Sequence, residues 1–204
     1  MKKLITLSLL LSYLSGFTQQ KFDLSVSESQ VFWKGTPAFE YGGHEGTLKF
    51  ASGNITMGKD GKIQGGSFVI DMKTIKSNER ERNPKEKGDN NLESHLKGDD
   101  FFAVQKHPQA TFIITKINKT AEPNKYAVQG NLNIRGITNQ IAFTAFIDNN
   151  KESITAKASL FFLRSSFGIT YKAPSLFASN IFSSAKDHLI ADEIPIKLDM
   201  VFKK

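Results

Sequence analysis

The strongest structural signal in the chain lies in residues 127–162, AVQGNLNIRGITNQIAFTAFIDNNKESITAKASLFF. Apolar and polar residues alternate along it, and a period of two is that of a β-strand with one buried face. Turn residues interrupt the alternation at Arg135-Gly136 and at Asn149-Asn150, so three antiparallel strands are predicted. The positions expected to share the buried faces are Val128, Gly130, Leu132, Ile134, Ile141, Phe143, Ala145, Ile147, Ile154, Ala156, Ala158, Leu160 and Phe162.

Similar short strands are predicted on both sides of this stretch. A bend or bulge is expected at Ser52-Gly53. The pair Asp60-Gly61 predicts a type I′ hairpin turn, because that turn needs residues that tolerate a positive φ. Many short strands in one chain indicate an all-β fold, either a sandwich or a barrel. The further strands are predicted at 31–36, 47–51, 54–57, 63–72, 110–117 and 196–202.

One segment, residues 73–109, departs from the strand pattern. Within it, residues 91–104 predict a short helical insert, with Asn91 or Ser94 as its N-cap. A helical insert of this kind can cover one end of a barrel lumen. The side chains expected to face inward are Leu92, Leu96 and Phe101.

Residues 1–20 have the pattern of a secretory signal peptide. A basic start is followed by an apolar run at residues 4–14, which is too short for a permanent transmembrane helix. Small and polar residues follow, and cleavage is expected between Gly16 and Gln20. The chain contains no cysteine, so a lipoprotein signal is not expected. The sequence therefore predicts a periplasmic or secreted protein with one domain at residues 21–204.

The charge pattern argues against a nucleic-acid partner. The chain carries 27 basic and 20 acidic side chains, a formal net charge of +7. No run of five like charges occurs, whereas nucleic-acid-binding tails are usually strongly basic. The modest positive balance suits solubility and is compatible with transient contact with an anionic membrane surface. The sequence leaves the oligomeric state open.

No catalytic, cofactor or metal motif is evident in the sequence. The four histidines, His44, His95, His107 and His188, are not spaced to place two on one helix or strand face. A zinc–thiolate site needs cysteine, and neither a G-x-S-x-G turn nor a phosphate-binding loop occurs. We therefore expect no enzyme activity, no cofactor and no metal, although a triad assembled by the fold stays open.

Arg164 is a charge within an apolar stretch, directly after Phe161, Phe162 and Leu163. A charge in such surroundings needs a partner or a path to water. Two interpretations stay open. Arg164 either pairs with an aspartate at the rim of the barrel or contacts the polar head group of a ligand at the mouth of the lumen.

Five groups of residues, in their order along residues 22–203, resemble the YceI family of exported polyisoprenoid-binding proteins. The resemblance implies an eight-stranded antiparallel, lipocalin-like β-barrel around a tunnel for an isoprenoid chain or a quinone tail. It also implies periplasmic or secreted location and no known catalytic residue. The groups are WKG at 33–35 with GHEGT at 43–47, GGSFVIDMKTI at 65–75, SHLK at 94–97 with DFF at 100–102 and HPQATF at 107–112, GNLNIRGIT at 130–138, and RSSFGI at 164–169 with Asp192 and the final strand.

The chain departs from the family pattern at three positions. Ala103, Leu163 and Ser166 stand where the family often has aspartate. These positions could belong to a polar network at the rim, so the departures leave the preferred head group open.

The inward residues are expected to hold an apolar ligand. An eight-stranded barrel has room for one slim ligand, and burial contributes about 25 cal/mol per Å² of apolar surface. His95, Phe101 and Phe102 are expected at a lid, with His44 and Arg164 at a polar mouth. The lumen residues expected to contact the ligand are Phe68, Ile70, Phe112, Ile114, Leu132, Ile134, Phe143 and Phe162.

The leading hypothesis is a protein that carries, stores or senses a polyisoprenoid or an isoprenoid quinone. Two other classes stay open. A lipid-processing hydrolase would use a histidine with a serine or an aspartate. A stress-related or interaction barrel without ligand would have an interior filled by its own side chains.

Overall fold

The structure is a computed structural model, and it describes residues 19–38, 42–78, 89–150, 152–172 and 190–204. The predicted signal peptide lies outside the described residues except for Gln19 and Gln20, and it stays a prediction. The described residues form nine strands, one α-helix and two 3-10 turns. These elements are β1 (Gln20–Leu24), the turn Val26–Glu28, β2 (Gln30–Gly35), β3 (His44–Met57), β4 (Ile63–Ser77), α1 (Asp89–Lys97), β5 (Gln109–Lys119), β6 (Lys125–Ile134), β7 (Ile137–Asn149), β8 (Ser153–Leu163), the turn Arg164–Phe167 and β9 (Glu193–Lys203).

The strands form a closed antiparallel barrel. From β2 the order runs through β9, β8, β7, β6, β5 and β4 to β3, and β3 pairs again with β2. Strand β1 shares the position of β2, because both pair with β3 on one side and with β9 on the other. The turn Val26–Glu28 separates them. Nine strands therefore occupy eight positions, which confirms the predicted eight-stranded barrel.

The alternation in the sequence sets the inner and outer faces of β6, β7, β8 and β9. The apolar positions predicted from residues 127–162 belong to the core or pack against it. Their neighbours on the same strands, such as Gln129, Thr144 and Lys157, are exposed. The predicted inward faces of these strands are thus confirmed.

Strand β3 corrects one prediction. The two strands predicted at 47–51 and 54–57 are one continuous strand, so that division is wrong. The expected bulge is present, because the register with β4 passes from Phe50↔Ile70 to Ser52↔Val69 and leaves Ala51 without a partner. An extra residue of this kind increases local twist and lets a long strand follow the curve of a barrel.

The hairpin at Asp60-Gly61 is confirmed, but its predicted turn type is wrong. A type I′ turn needs two positive φ values, and of this pair only Gly61 has one, at 72°. Arg135 and Gly136, with φ values of 55° and 77°, have the signs of a type I′ turn between β6 and β7. Glycine favours both turns because it adopts a positive φ at no steric cost.

The helical insert is shorter than predicted. Helix α1 begins at Asp89 and ends at Lys97, not at residue 104, and Gly98 follows it in a series of turns. Ala103 has a φ of 47°, which is incompatible with a continuing α-helix. Asn91 and Ser94 lie within the helix, so neither is its N-cap.

Helix α1 lies at the end of the barrel where β4 ends and β5 begins. The backbone N–H of Ser77 donates to Oε1 of Glu93 at 3.0 Å. The N–H of Met72 donates to the carbonyl oxygen of Pro108, also at 3.0 Å. The predicted inward residues Leu92, Leu96 and Phe101 all pack in or against the core, as expected.

The substitution Gly130→Ala should lower the stability of the barrel. An added Cβ would lie 2.3 Å from Cζ of Phe112 and 2.5 Å from the carbonyl oxygen of Ile113. Overpacking of this kind costs about 1–3 kcal/mol, which urea unfolding would show as a lower midpoint at constant slope. Gly65→Ala is the matched control, because its Cβ would meet nothing closer than Oγ1 of Thr56 at 3.7 Å. Equal midpoints for the two variants would contradict the account.

Candidate functional site: an apolar lumen

The barrel encloses a cavity of about 450 Å³. This volume lies within the range of about 300–1,000 Å³ typical of ligand pockets. Aliphatic and aromatic side chains from β2 to β9 and from α1 form most of its wall. Several inward residues, among them Ile141, Leu160 and Ile196, are only half-buried although they point into the barrel. The interior is therefore hollow.

Phenylalanine rings form one wall of the lumen. Phe68 and Phe112 are stacked, with ring centroids 6.3 Å apart. Phe68 also contacts Phe50 and Phe202, and Phe112 contacts Phe143 at 5.6 Å. Such rings present a large apolar area without a hydrogen-bonding group, so they favour hydrocarbon contact over polar recognition.

Small inward residues leave the space that these rings do not fill. Ala145 stands opposite Ala158, and Ala156 lies along β8 on the same inward face. A methyl group does not reach the barrel axis, so these positions leave room in the lumen. Gly130 has a different role, because the ring of Phe112 lies against it. A void lined by apolar groups holds no ordered water.

The two ends of the lumen differ in polarity. The end where β2, β8 and α1 terminate, here called the mouth, includes the exposed side chains of His44 and Lys172. Two backbone hydrogen bonds connect the chain segments at this end. The N–H of Ala191 donates to the carbonyl oxygen of Thr36, and the N–H of Ile190 donates to that of Lys172. The opposite end, the floor, is lined by apolar residues, most of them buried. They include Ile55, Ile63, Ile147 and Phe202.

Arg164 stabilises the mouth from within. Its side chain is 1% exposed, and its guanidinium donates to four backbone carbonyls. The acceptors, at 2.7–3.1 Å, belong to Ala191, Ile169, Tyr171 and Ile190. Burial lowers the pKa of Arg164 from its ordinary value, and the nearby charge of Asp192 offsets part of this effect.

The prediction that Arg164 pairs with an aspartate is therefore wrong, because its guanidinium donates to backbone carbonyls instead. The carboxylate of Asp192 instead accepts from the N–H and the hydroxyl of Ser165, at 2.9 and 2.6 Å. Sequence alone could not reveal this, because the acceptors come from the separate segments 169–171 and 190–191. The guanidinium is engaged in holding these segments, which leaves it little capacity for a head group.

His95 has an unsatisfied polar atom at the mouth. Its ring lies edge-on to Phe101 and Tyr171, with centroids 4.9 and 4.6 Å away. Its Nε2 is buried and has no hydrogen-bond partner among the described residues. An unsatisfied buried nitrogen costs free energy unless a ligand or water supplies the missing bond. A polar group of a ligand could therefore be stabilised at this position.

Every residue predicted to contact the ligand lines this cavity, including His44, His95 and Arg164. Whether they contact a ligand stays a prediction. Sequence reasoning missed other lining residues. Leu160, Ile196 and Leu198 lie on faces that the alternation marked as inward, so that signal was available. Tyr171 follows an irregular turn and offered no periodic signal.

Other kinds of site find little support in the part of the chain that the structure describes. Within it, no group of three or more histidine, aspartate or glutamate side chains is arranged to hold a metal ion. No helix among the described residues is long and apolar enough to cross a membrane.

Two solved structures share this fold. The crystal structure of BcnA from Burkholderia cenocepacia has a TM-score of 0.66 and 23% identity, covering 87% of this chain and 98% of that one. A polyisoprenoid binding domain from Saccharophagus degradans, implicated in plant cell wall breakdown, has a TM-score of 0.59 and 12% identity. It covers 89% of this chain and 97% of its own. At such low identity these likenesses show the fold alone.

Curated relatives match shorter parts of the chain. A UPF0312 protein of Pseudomonas putida (strain W619) is 30% identical over 129 residues, or 62% of this chain and 60% of that protein. A UPF0312 protein of Pectobacterium carotovorum is 34% identical over 89 residues, or 39% and 43%. The chain thus spans 43–60% of the length of these two relatives. The family model for the YceI-like domain matches residues 22–202, and the chain therefore belongs to the YceI-like family.

Proposed function

We propose that this protein binds a polyisoprenoid, or the isoprenoid tail of a quinone, in the lumen of its barrel. The observation that carries the proposal is the hollow apolar interior of about 450 Å³. An isoprenoid chain needs no hydrogen bonds, and burying it contributes about 25 cal/mol per Å² of apolar surface. The Saccharophagus degradans domain of the same fold is described as polyisoprenoid binding, which supports this ligand class.

The polarity of the lumen sets the orientation of the ligand. The tail lies toward the apolar floor, and the head group remains at the mouth, near His95 and within reach of water. Nε2 of His95 supplies the hydrogen bond to a hydroxyl or carbonyl of the head group. Arg164 contributes by holding the mouth in shape rather than by direct contact.

Binding rather than catalysis is the proposed activity. Arg164 and Asp192 are both engaged in structural hydrogen bonds at the mouth. A ligand-free barrel stabilised by a filled interior is disfavoured by the cavity itself, since protein interiors are normally close-packed. Carriage, storage and sensing all use the same binding step.

The proposed location is the periplasm or the exterior of the cell. The signal-peptide pattern of residues 1–20 supports it. In that setting the barrel shields a water-insoluble chain from the aqueous phase, with transient contact at a membrane surface.

Lipid extraction from the native protein tests the proposal. Mass spectrometry of the extract should find a polyprenol, a polyprenyl phosphate or an isoprenoid quinone in stoichiometric amount. The delipidated protein should bind a long isoprenoid more tightly than a short one, because a longer tail buries more apolar surface. Empty protein with no preference for chain length would contradict the proposal.

Filling the lumen with a larger side chain should weaken ligand binding. Leu160→Trp places a larger side chain into the cavity, and we expect the affinity for a polyprenol in detergent to fall at least about tenfold, or about 1.4 kcal/mol. Ile113→Trp is the control, because Ile113 points outward from β5 and is exposed. Titration with a fluorescent polyprenol measures both variants. Equal affinity in the two variants would rule out the lumen as the binding site.

His95→Phe should remove head-group recognition but keep the apolar wall. The new ring can pack on Phe101 and Tyr171 as the imidazole does, but it offers no polar atom. Losing one hydrogen bond costs about 0.5–1.5 kcal/mol, so the polyprenol should bind about two- to tenfold more weakly. A hydrocarbon of the same length should bind unchanged.

The control for this variant is His107→Phe, since His107 does not line the cavity. If His95→Phe weakens the polyprenol and the hydrocarbon equally, His95 has only a packing role.

A further inference from the structure

Strands β7 and β8 separate near the mouth. Their backbone pairing ends at Thr144 and Ser159. Strand β7 nevertheless stays paired with β6 as far as Ile137, and β8 stays paired with β9 as far as Leu163. Among the described residues, no backbone pair therefore closes the barrel wall between the mouth-side parts of β7 and β8, a gap that we call the β7–β8 slot.

The slot has defined ends. A groove of about 510 Å³ lies there, formed by residues 139–144, 159–163 and 166–167. The last backbone pair, Thr144 with Ser159, closes the floor side. On the mouth side, Nδ2 of Asn139 donates to the carbonyl oxygen of Ser166 at 2.9 Å. This exposed side-chain hydrogen bond is the contact that spans the mouth side of the groove among the described residues, and water can replace it when the slot opens.

The slot adjoins the lumen. Ile141, Phe143, Leu160 and Phe162 line both the groove and the inner cavity, so their side chains stand between the two. All four are apolar, and the first three are only half-buried. A hydrocarbon chain that crosses the wall here stays in apolar contact from the surface to the interior.

The outer rim of the slot is apolar. Phe161 and Leu163 on β8 are 56% and 41% exposed. Two exposed charged side chains flank them on the neighbouring strand, because Lys197 is paired with Ser159 and Glu193 with Leu163. Exposed aromatic and aliphatic side chains beside charges of both signs suit the interface of a bilayer.

The two routes into the lumen meet different obstacles. At the mouth, the rings of His95, Phe101 and Tyr171 pack on one another with centroids 4.6–5.4 Å apart. A chain that entered along the axis would have to part these three rings. A chain that entered through the side would have to move one ring pair, Phe162 and Phe167, which lie edge to face at 5.6 Å, and would break no backbone pairing between β7 and β8.

We propose that the lipid tail passes between a bilayer and the lumen sideways, through the β7–β8 slot, while Phe161 and Leu163 rest on the membrane. This inference rests on the proposed binding function. A lateral passage keeps the head group near the mouth throughout, so only the tail has to cross the wall.

Cross-linking the slot tests this route. The chain has no native cysteine, so Ala142→Cys with Phe161→Cys places two exposed thiols on opposite sides of the slot. A bifunctional methanethiosulfonate links them, and a reducing agent releases them. The control pair is Gln129→Cys with Ala142→Cys, because these positions are paired on the closed side of β7.

The measured quantity is the rate at which a radiolabelled polyprenol moves from phosphatidylethanolamine–phosphatidylglycerol vesicles into the protein. Each pair is compared with its own unlinked form, because replacing Phe161 also alters the rim. Linking across the slot should slow transfer at least about tenfold relative to the unlinked slot variant, reduction should restore that variant's rate, and linking the control pair should leave its rate unchanged. An unchanged rate with the slot linked would overturn the lateral route. If the unlinked protein also fails to bind polyprenol in detergent, the proposed function fails with it.

The membrane-facing rim has its own test. Phe161→Ser with Leu163→Ser should slow transfer from the same vesicles and reduce co-sedimentation with them, but leave binding in detergent unchanged. Ile113→Ser with Phe146→Ser is the control, because these side chains are equally exposed but lie away from the rim. Equal transfer rates for the two double variants would overturn the role of the rim.

Discussion

The space at the centre of the barrel, which its own side chains do not occupy, is the constraint on which the account depends. Closure of eight strand positions fixes the radius of the interior. The rings of Phe68 and Phe112 fill one side of it, whereas Ala145 and Ala156 leave the other side open. The half-buried inward faces of Ile141 and Leu160 follow directly from that asymmetry. A void of this kind forgoes dispersion contacts, so an apolar occupant that supplies them is stabilising.

At the mouth, irregular backbone lies next to an apolar cavity, so its carbonyl groups need hydrogen-bond donors from the protein. Arg164 meets this need with four hydrogen bonds to carbonyls from two chain segments. Asp192 fixes the turn that begins at Arg164 by accepting twice from Ser165. Among the described residues, the buried side-chain atom without a hydrogen-bond partner at this end is Nε2 of His95. A polar head group above a hydrocarbon tail matches this distribution.

Sequence periodicity predicted much of the fold but little of the site's shape. Alternation on β6 to β9 identified the inward residues, because a strand with one buried face must alternate. It could not show the hollow, since that depends on how the phenylalanine rings pack across the barrel. It also could not show the slot, because the alternation continues through Phe143 and Leu160 where pairing stops. The carbonyl cage of Arg164 depends on turn geometry at Gly168, whose φ is 71°.

An experimental structure of the protein purified with its native ligand tests the central claim most directly. The account predicts continuous density for a single methyl-branched hydrocarbon chain, running from the vicinity of His95 between Phe112 and Leu160 toward the floor. An interior filled by rearranged side chains, or occupied by ordered water, would contradict it.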